Sequence, residues 1–352
     1  MAHRPVRVLI VDDSALMRKM LSEMIGSSPE LEVVGTARDG SEALELAGRL
    51  RPDVVTLDVE MPGLSGLEVL PRLLEKQEVP VVMVSSWTQE GADITLAALE
   101  LGAVDFLPKP DRRHFSQLRG ARDLLVAKLL MASGSRVRRP RVVAAGGAGP
   151  AVDRGPRAPS GSRAATRCVV LGISTGGPQT LTRVFAELEP PLPPILVVQH
   201  MPATFTRVFA DRLDRRSRVA VREAQEGDRV ESDLILVAPG GRQMSLVGRP
   251  PFVRIALSDG PPVSGHRPSI DVLFRSAAEV FGAEAVGVLM TGMGRDGVAG
   301  CQRILEEGGL TLGQDEATSV IYGMNKAAFE AGAIRSQFAI EELPALLRQF
   351  AS

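Results

Sequence analysis

Ser174 is the residue of this sequence best placed to act as a nucleophile. It stands in Gly172-Ile173-Ser174-Thr175-Gly176-Gly177-Pro178, between an apolar run at 168–171 and a helical pattern at 178–188. A serine on a sharp strand-to-helix turn is held out at the top of an α/β sheet, and the spacing fits the G-x-S-x-G pattern. The same turn could instead cradle an anion on its free N–H groups, with no covalent chemistry. An activated serine needs a base, and the chain offers four histidines. His3 lies in the N-terminal tail, His114 in the first half of the chain, and His266 in the Pro/Gly-rich stretch 261–268. His200 follows the apolar run 195–199 in the next βα unit, at the same carboxyl edge, so it is the first candidate and His266 the second. For the group that orients the imidazole, Asp296 follows the apolar run 285–290. It is favoured over Asp271, whose place in the first turn of a helix capped by Ser269 is accounted for by the macrodipole.

A second constellation is acidic. Asp12 and Asp13 follow an apolar run at 6–11, Asp58 follows 54–57, Ser85 and Ser86 follow 79–84, and Lys109 follows 104–107. Three carboxylates converging at one sheet edge repel one another unless something cationic sits between them. A hard ion such as Mg²⁺ accepts one or two carboxylates and bridges to phosphate oxygens. Lys109 adds a point charge, the serine hydroxyl can bond an incoming phosphoryl group, and a carboxylate so placed can itself attack phosphorus. Any one of these residues could merely cap a helix; six at one edge call for a shared role.

The elements that must hold these groups are repeated βα units. Apolar runs at 6–11, 31–37, 54–57, 79–84 and 104–107 alternate with amphipathic segments such as 15–25 and 93–101. Near-continuous apolar strands argue for a parallel sheet covered on both faces, which binds ligands beyond its carboxyl ends. A second series has strands at 168–171, 195–198, 234–237, 253–257, 285–290 and 310–312, with helical patterns at 205–213 and 269–281. Short segments at 219–222 and 243–247, near Gly240-Gly241, suggest a hairpin beside that sheet. Between the two series, 132–166 is rich in Gly, Pro, Ser, Ala and Arg and lacks periodicity. It reads as a flexible basic tether with a span on the order of 30–35 Å. The expected architecture is two doubly wound, mostly parallel α/β domains, at 5–131 and 167–352.

At 352 residues and 44% apolar composition the chain can fill two cores, and 4% aromatics makes those cores aliphatic. A net charge of −1 gives no electrostatic case for nucleic acid or an acidic membrane. The second series carries no helix-turn-helix pattern, and no apolar run is long enough to insert in a membrane. Cys168 and Cys301 lack metal-ligand spacing and read as buried free thiols. Gly292, Gly294 and Gly297 spell G-x-G-x-x-G, with Asp315 some 20 residues on. That fingerprint falls late in its domain, and Asp296 would repel a pyrophosphate there.

Taken together, the motifs resemble two known families. Val8-Leu9-Ile10-Val11-Asp12-Asp13-Ser14, Leu57-Asp58-Val59-Glu60-Met61-Pro62 and Lys109-Pro110 resemble the signatures of a response-regulator receiver domain, flavodoxin-like in fold. The resemblance implies phosphorylation of Asp58 by a histidine kinase. It also implies Mg²⁺ held by Asp13, Asp58 and the backbone carbonyl of Glu60, with Asp12 assisting through water. Ser85 and Lys109 would read the phosphoryl group, and Phe106 would be an aromatic switch. Pro108 departs from the pattern.

Gly172 to Pro178, Gln199-His200-Met201-Pro202, Arg267 to Arg275, Met290 to Gly297 and Gln314 to Val320 closely resemble the bacterial chemotaxis protein-glutamate methylesterase family, Rossmann-like in its catalytic domain. The order Ser…His…Asp matches that family and not the α/β-hydrolases. The resemblance implies hydrolysis of glutamate methyl esters on chemoreceptor helices and deamidation of certain receptor glutamines. Ser174 would be nucleophile, His200 base and Asp296 orienter, with backbone N–H groups near Thr175 and Met293 as the oxyanion site. The esterase chemistry needs no cofactor. The expected protein is a cytoplasmic monomer whose partners are chemoreceptors and a chemotaxis histidine kinase, with access to Ser174 governed by the receiver. Ile173 and Asn325 depart from the family pattern. The rival from another class is a receiver-linked binding module in which Gly172–Gly177 only holds an anion.

Overall fold

The structure, a computed structural model, describes residues 4–85, 88–109, 118–135 and 165–351. His3, Ser86, Pro110, His114 and residues 136–164 of the expected tether lie outside the described residues. The chain divides into two compact units.

The first unit alternates strand and helix without exception: β1 (Val6–Val11), α1 (Ala15–Gly26), β2 (Leu31–Ala37), α2 (Gly40–Leu50), β3 (Val54–Asp58), α3 (Gly66–Lys76), β4 (Val81–Ser85), α4 (Gln89–Glu100), β5 (Asp105–Pro108) and α5 (Leu118–Ser133). All four strand pairings are parallel, in the order β2-β1-β3-β4-β5. This is the flavodoxin-like winding, whose ligand crevice opens at the carboxyl ends of β1 and β3. The central strands are buried end to end, as a sheet covered on both faces requires. Pro108 closes β5, an edge strand, where its missing N–H leaves no ladder bond broken.

The second unit runs β6 (Cys168–Ile173), α6 (Gly177–Ala186), β7 (Ile195–Gln199), α7 (Ala203–Arg216), β8 (Ala220–Glu223), β9 (Leu234–Val237), β10 (Gln243–Arg249), β11 (Phe252–Ser258), α8 (Ile270–Phe281), β12 (Ala285–Leu289), α9 (Val298–Glu306), β13 (Leu310–Gln314), α10 (Met324–Glu330), β14 (Ser336–Phe338) and α11 (Leu343–Gln349). Seven strands form one parallel sheet in the order β14-β13-β12-β6-β7-β9-β8. Here the structure corrects the sequence reading. The hairpin joins β10 to β11 and lies on α8, where Leu246 N donates to Ser276 Oγ at 3.0 Å. Residues 253–257 therefore belong to that ribbon, while 219–222 fall mostly in β8, a parallel edge strand. The cause is visible in the side chains: Val253 and Ile255 are buried and Arg254 is exposed, the two-residue alternation of a ribbon with one wet face. β14, only three residues long with two exposed polar ones, carries no apolar signal.

Close backbone approach sets how α8 and α9 meet the sheet. A Cβ on Gly172 would lie 2.4 Å from Ile270, and one on Gly300 would lie 2.5 Å from Phe274 Cβ and 3.3 Å from the Asp271 backbone. These glycines draw the N-termini of α8 and α9 together at the carboxyl edge of β6 and β12. Gly300→Ala is expected to lower stability by about 1–3 kcal/mol, the usual cost of an extra methyl group in a tight core. A lower urea midpoint at unchanged slope is the measurement that checks it.

Candidate active site

Strand register alone brings the serine and histidine together. β6 and β7 pair Ile173 with Gln199, so Ser174 and His200 are the next positions on adjacent strands, roughly 5 Å apart along the hydrogen-bonding direction. On the other side β6 pairs with β12, and Ser174 N donates to Thr291 O at 3.0 Å. The turn after Ser174 is latched from both flanks. Gln199 Nε2 donates to Ser174 O at 3.0 Å, and Thr291 Oγ1 donates to Thr175 O at 3.0 Å. A Cβ on Gly177 would meet Gln199 Oε1 at 1.8 Å, and one on Gly292 would meet the Ser174 Cβ at 2.6 Å. Glycine at 292 leaves room for the Ser174 side chain, and glycine at 177 leaves room for the Gln199 amide that latches the turn.

Asp296 lies in the loop before α9, yet its carboxylate caps α8. Oδ1 accepts from Ser269 Oγ at 2.8 Å and from Asp271 N at 3.1 Å. Oδ2 accepts from Ile270 N at 2.8 Å and lies 2.8 Å from His200 Nε2. Burial works to raise the Asp296 pKa, but the bond and charge of His200 and the N–H groups of Ile270 and Asp271 outweigh it, leaving the carboxyl below its ordinary value. An ionised Asp296 makes Nε2 the protonated ring nitrogen of His200, and Nδ1 is then buried with no hydrogen-bond partner. Asp271 reciprocates. From the first turn of α8 it accepts from Gly297 N at 3.0 Å and Gly300 N at 2.7 Å, at the start of α9. It stands in the first turn of its own helix as expected, and its carboxylate in addition caps the neighbouring helix. Burial is the main cause that raises its pKa.

That exchange also disposes of the dinucleotide fingerprint. The N-terminus of α9, where a pyrophosphate would bind, already holds the Asp271 carboxylate. Asp315 is engaged locally by Thr318 N at 2.9 Å and by the Thr318 hydroxyl. The second histidine candidate, His266, stacks on His200 with ring centroids 3.7 Å apart and planes 8° from parallel. His200, His266 and Asp296 bring ligand atoms within 4.8 Å of one another. Parallel stacked rings, however, direct their in-plane lone pairs side by side and not to one point, which is poor geometry for a metal. Met293 is half-buried in the loop after β12, and its backbone N–H meets no acceptor among the described residues. Thr175 follows Ser174 at the head of α6. Ile173 is fully buried in β6. Asn325, also fully buried, donates to Gln314 O and Ser319 Oγ, both at 2.8 Å. Sequence reasoning missed the stack and the carboxylate exchange, since both join segments that are remote in the chain.

In the first unit the three acidic side chains lie together. Asp12, Asp13 and Asp58 bring carboxylate oxygens within 4.8 Å of one another. Lys109 Nζ lies 2.6 Å from Asp58 Oδ2 and 3.5 Å from Asp12 Oδ2. Burial pushes the Asp58 carboxyl up to about 6; Lys109 opposes this and Asp12 adds to it. Asp12 is raised by burial as well, and its Oδ2 is buried without a hydrogen-bond partner. An oxygen without a hydrogen bond, held only by a 3.5 Å ion pair to Lys109, in a pocket of hard oxygen donors with too little positive charge suits Mg²⁺. Glu60 is exposed, and its N–H donates to Asp58 Oδ1 at 3.3 Å. The Ser85 hydroxyl donates to Gly91 O at 3.2 Å, in α4. Phe106 is buried, with Lys128 Nζ 5.4 Å from its ring centroid.

Comparison with known proteins gives a consistent result. Residues 169–347 match the family model of the CheB methylesterase, and residues 8–118 that of the response regulator receiver domain. A relative from Pyrococcus horikoshii named protein-glutamate methylesterase/protein-glutamine glutaminase is 45% identical over 350 residues, 97% of this chain and 92% of its own. One of the same name from Chromohalobacter salexigens is 44% identical over 348 residues, 99% and 96%. The crystal structure of the Thermotoga maritima CheB methylesterase catalytic domain aligns with a TM-score of 0.51 at 34% identity, covering 52% of this chain and 97% of that one.

The depressed Asp296 pKa fixes the sign of a pH effect. A carboxyl whose folded value lies below its unfolded 3.8 contributes stability that is present above 3.8 and lost as pH falls through the folded value. The stability gap between wild type and Asp296→Asn is therefore expected to be full at pH 5 and above and to narrow on acidification below 3.8. Denaturant titrations of both proteins across that range check it.

Proposed function

The chain belongs to the CheB methylesterase family, with a response regulator receiver domain ahead of the catalytic one, and on that premise we propose that Ser174, His200 and Asp296 hydrolyse glutamate methyl esters of chemoreceptors under the control of a phosphoryl group on Asp58. The enzyme class is carboxylic ester hydrolase, protein-glutamate methylesterase with protein-glutamine glutaminase activity. The state of His200 carries the residue assignment. One ring nitrogen is bonded to a buried carboxylate, the other is buried and unpartnered, and the neighbouring strand position is a serine.

In the proposed reaction Ser174 Oγ attacks the ester carbonyl carbon and His200 Nδ1 takes the hydroxyl proton. The imidazolium so formed is stabilised through Nε2–H by Asp296. The oxyanion is received by the backbone N–H groups of Met293 and Thr175; loss of one such donor typically costs about 2.7–4 kcal/mol in the barrier. The C–O bond then breaks, and His200 returns its proton to the departing methoxide, releasing methanol. Water, deprotonated by His200, attacks the acyl-serine; the bond to Ser174 Oγ breaks, His200 returns the proton to that oxygen, and the glutamate carboxyl group is freed. A receptor glutamine follows the same course with ammonia as the leaving group.

In the receiver, Asp58 would take the phosphoryl group from a kinase histidine. Asp13, Asp58 and the carbonyl of Glu60 would hold Mg²⁺, with Asp12 reaching it through water, and the bound ion supplies positive charge for the incoming phosphoryl oxygens. Lys109 exchanges its bond to Asp58 for one to the phosphoryl group, and Ser85 leaves the Gly91 carbonyl to read it. The protein would work as a cytoplasmic monomer on the receptors' cytoplasmic helices. Among the described residues no helix is long and apolar enough to cross a membrane.

Ser174→Ala is expected to lower methanol release from methylated receptor by about four orders of magnitude or more. A serine-reactive phosphonate should label wild type at Ser174 and leave the variant untouched. Near-normal turnover in Ser174→Ala, or an unlabelled wild type, overturns the triad in favour of an anion-binding module. For the receiver, a small-molecule phosphodonor with Mg²⁺ should raise methanol release by the full chain. The rise should vanish on chelation and in Asp58→Asn, while a fragment from residue 167 onward stays active without the phosphodonor. A folded but inactive fragment would assign the receiver an obligatory activating role instead.

A further inference from the structure

The reaction above uses both ring nitrogens of His200 and leaves its face unexplained. That face is covered by His266, 3.7 Å away and within 8° of parallel. The loop that presents His266 is built for the purpose. Val263 and His266 pair in both directions, at 3.0 and 2.9 Å, across a two-residue turn of Ser264 and Gly265. Both turn residues have positive φ, 52° and 81°. Gly265 adopts this freely, but a serine there is strained. Ser264 is held to it from two sides: its Oγ donates to Asp271 Oδ2 at 2.9 Å, and its carbonyl lies 2.8 Å from His266 Nδ1. Gln243 Nε2 donates to His266 O at 3.1 Å, while its Oε1 accepts from Ser269 N, the cap of α8. A strained, over-determined turn beside a reactive group marks a functional constraint.

We propose that His266 is a positioning residue of the hydrolase site, a flat plate that fixes the ring plane of His200 and stabilises the imidazolium formed when His200 takes the serine proton. The inference rests on the esterase reading above. Its physical basis is the torsion that matters. Rotation of a histidine ring about Cβ–Cγ is broad and poorly restrained. The axis of that rotation passes close to Nε2, so the bond to Asp296 restrains it weakly, while Nδ1 swings through a wider arc. A parallel ring at van der Waals distance blocks that swing. It also presents a π face to the cation that forms in the reaction, an attraction that needs an aromatic surface and no particular heteroatom. The Ser264 carbonyl directs the His266 N–H away from His200, so the plate meets its neighbour as a face and not as a competing donor.

Full-length chains carrying His266→Ala, His266→Leu and His266→Phe provide the test, with methanol release from methylated receptor and histidine-ring NMR as readouts. His266→Ala is expected to lower kcat by about 10- to 100-fold with KM changed less than about threefold, in line with a small misplacement of a reacting group. The proton signal of the His200 Nε2–H should broaden in that variant. His266→Leu, which fills the space without a flat face, should behave like alanine and serves if the alanine chain does not fold. His266→Phe should restore kcat to within about fivefold of wild type and return the sharp proton signal. Wild-type kcat in the folded alanine or leucine variant, or a phenylalanine variant as slow as they are, overturns the plate while leaving the triad intact. A wild-type chain that neither releases methanol nor takes the phosphonate label sinks the esterase reading and this inference with it.

Discussion

The catalytic unit depends on two carboxylates that have changed places. Asp296, from the loop before α9, satisfies the open N–H groups of α8; Asp271, from the first turn of α8, satisfies those of α9. Each helix end would otherwise bury unpaired donors, and each acid would be a buried charge without partners. The exchange solves both problems at once, and Gly300 permits it by letting the helices close to contact. The orientation of His200 follows from it. Asp296 Oδ2 is shared between His200 Nε2 and Ile270 N, so the imidazole takes its bearing from a rigid helix and not from a loop. The turn that carries His266 hangs from the other carboxylate through Ser264.

The receiver treats its acids in the opposite way. Asp12 and Asp58 are buried, but they receive few N–H bonds, and the Lys109 ammonium is shared between them at 3.5 and 2.6 Å. The pocket holds three carboxylates against one ammonium, and burial, with the Asp12 charge adding to it, pushes the Asp58 carboxyl up to about 6. A site closed by fixed dipoles keeps one geometry; a site with an open electrostatic deficit responds to what enters it. The two arrangements suit the two roles proposed above, a unit that holds its side chains still and a unit that responds to an incoming group.

Much of this was legible in the sequence because strand ends are. Apolar runs such as 195–198 identify central parallel strands, and the polar residues after each one mark the carboxyl edge, which is how Ser174, His200, Asp58 and Lys109 could be placed from the sequence. Less was legible where local pattern and tertiary role part. Val253 to Leu257 is as apolar as a sheet strand, and only its pairing with β10 shows it to be a ribbon. Asp271 looks like an ordinary first-turn acid; that it serves a helix beginning about 27 residues further on depends on a packing contact at Gly300 that no window of sequence contains. His266, alone in a Pro/Gly-rich loop, carries no periodic signal at all. Its stack on His200 spans 66 residues and exists only once α8 has been laid on the sheet.

The position of β6 in the middle of its sheet has a consequence for how the site could be rewired. β6 is the first strand of the unit, the chain winds from it toward β7, β9 and β8, and then returns to lay β12, β13 and β14 on the other flank. His200 and Asp296 therefore come from opposite windings, with Ser174 between them, and the order Ser…His…Asp follows the order in which the chain lays down the two flanks. A circularly permuted chain that began with the β12 flank would read Asp…Ser…His while every atom of the site kept its place. Linear order along the chain is here a matter of connectivity alone, and a different order is compatible with the same placement of these three side chains.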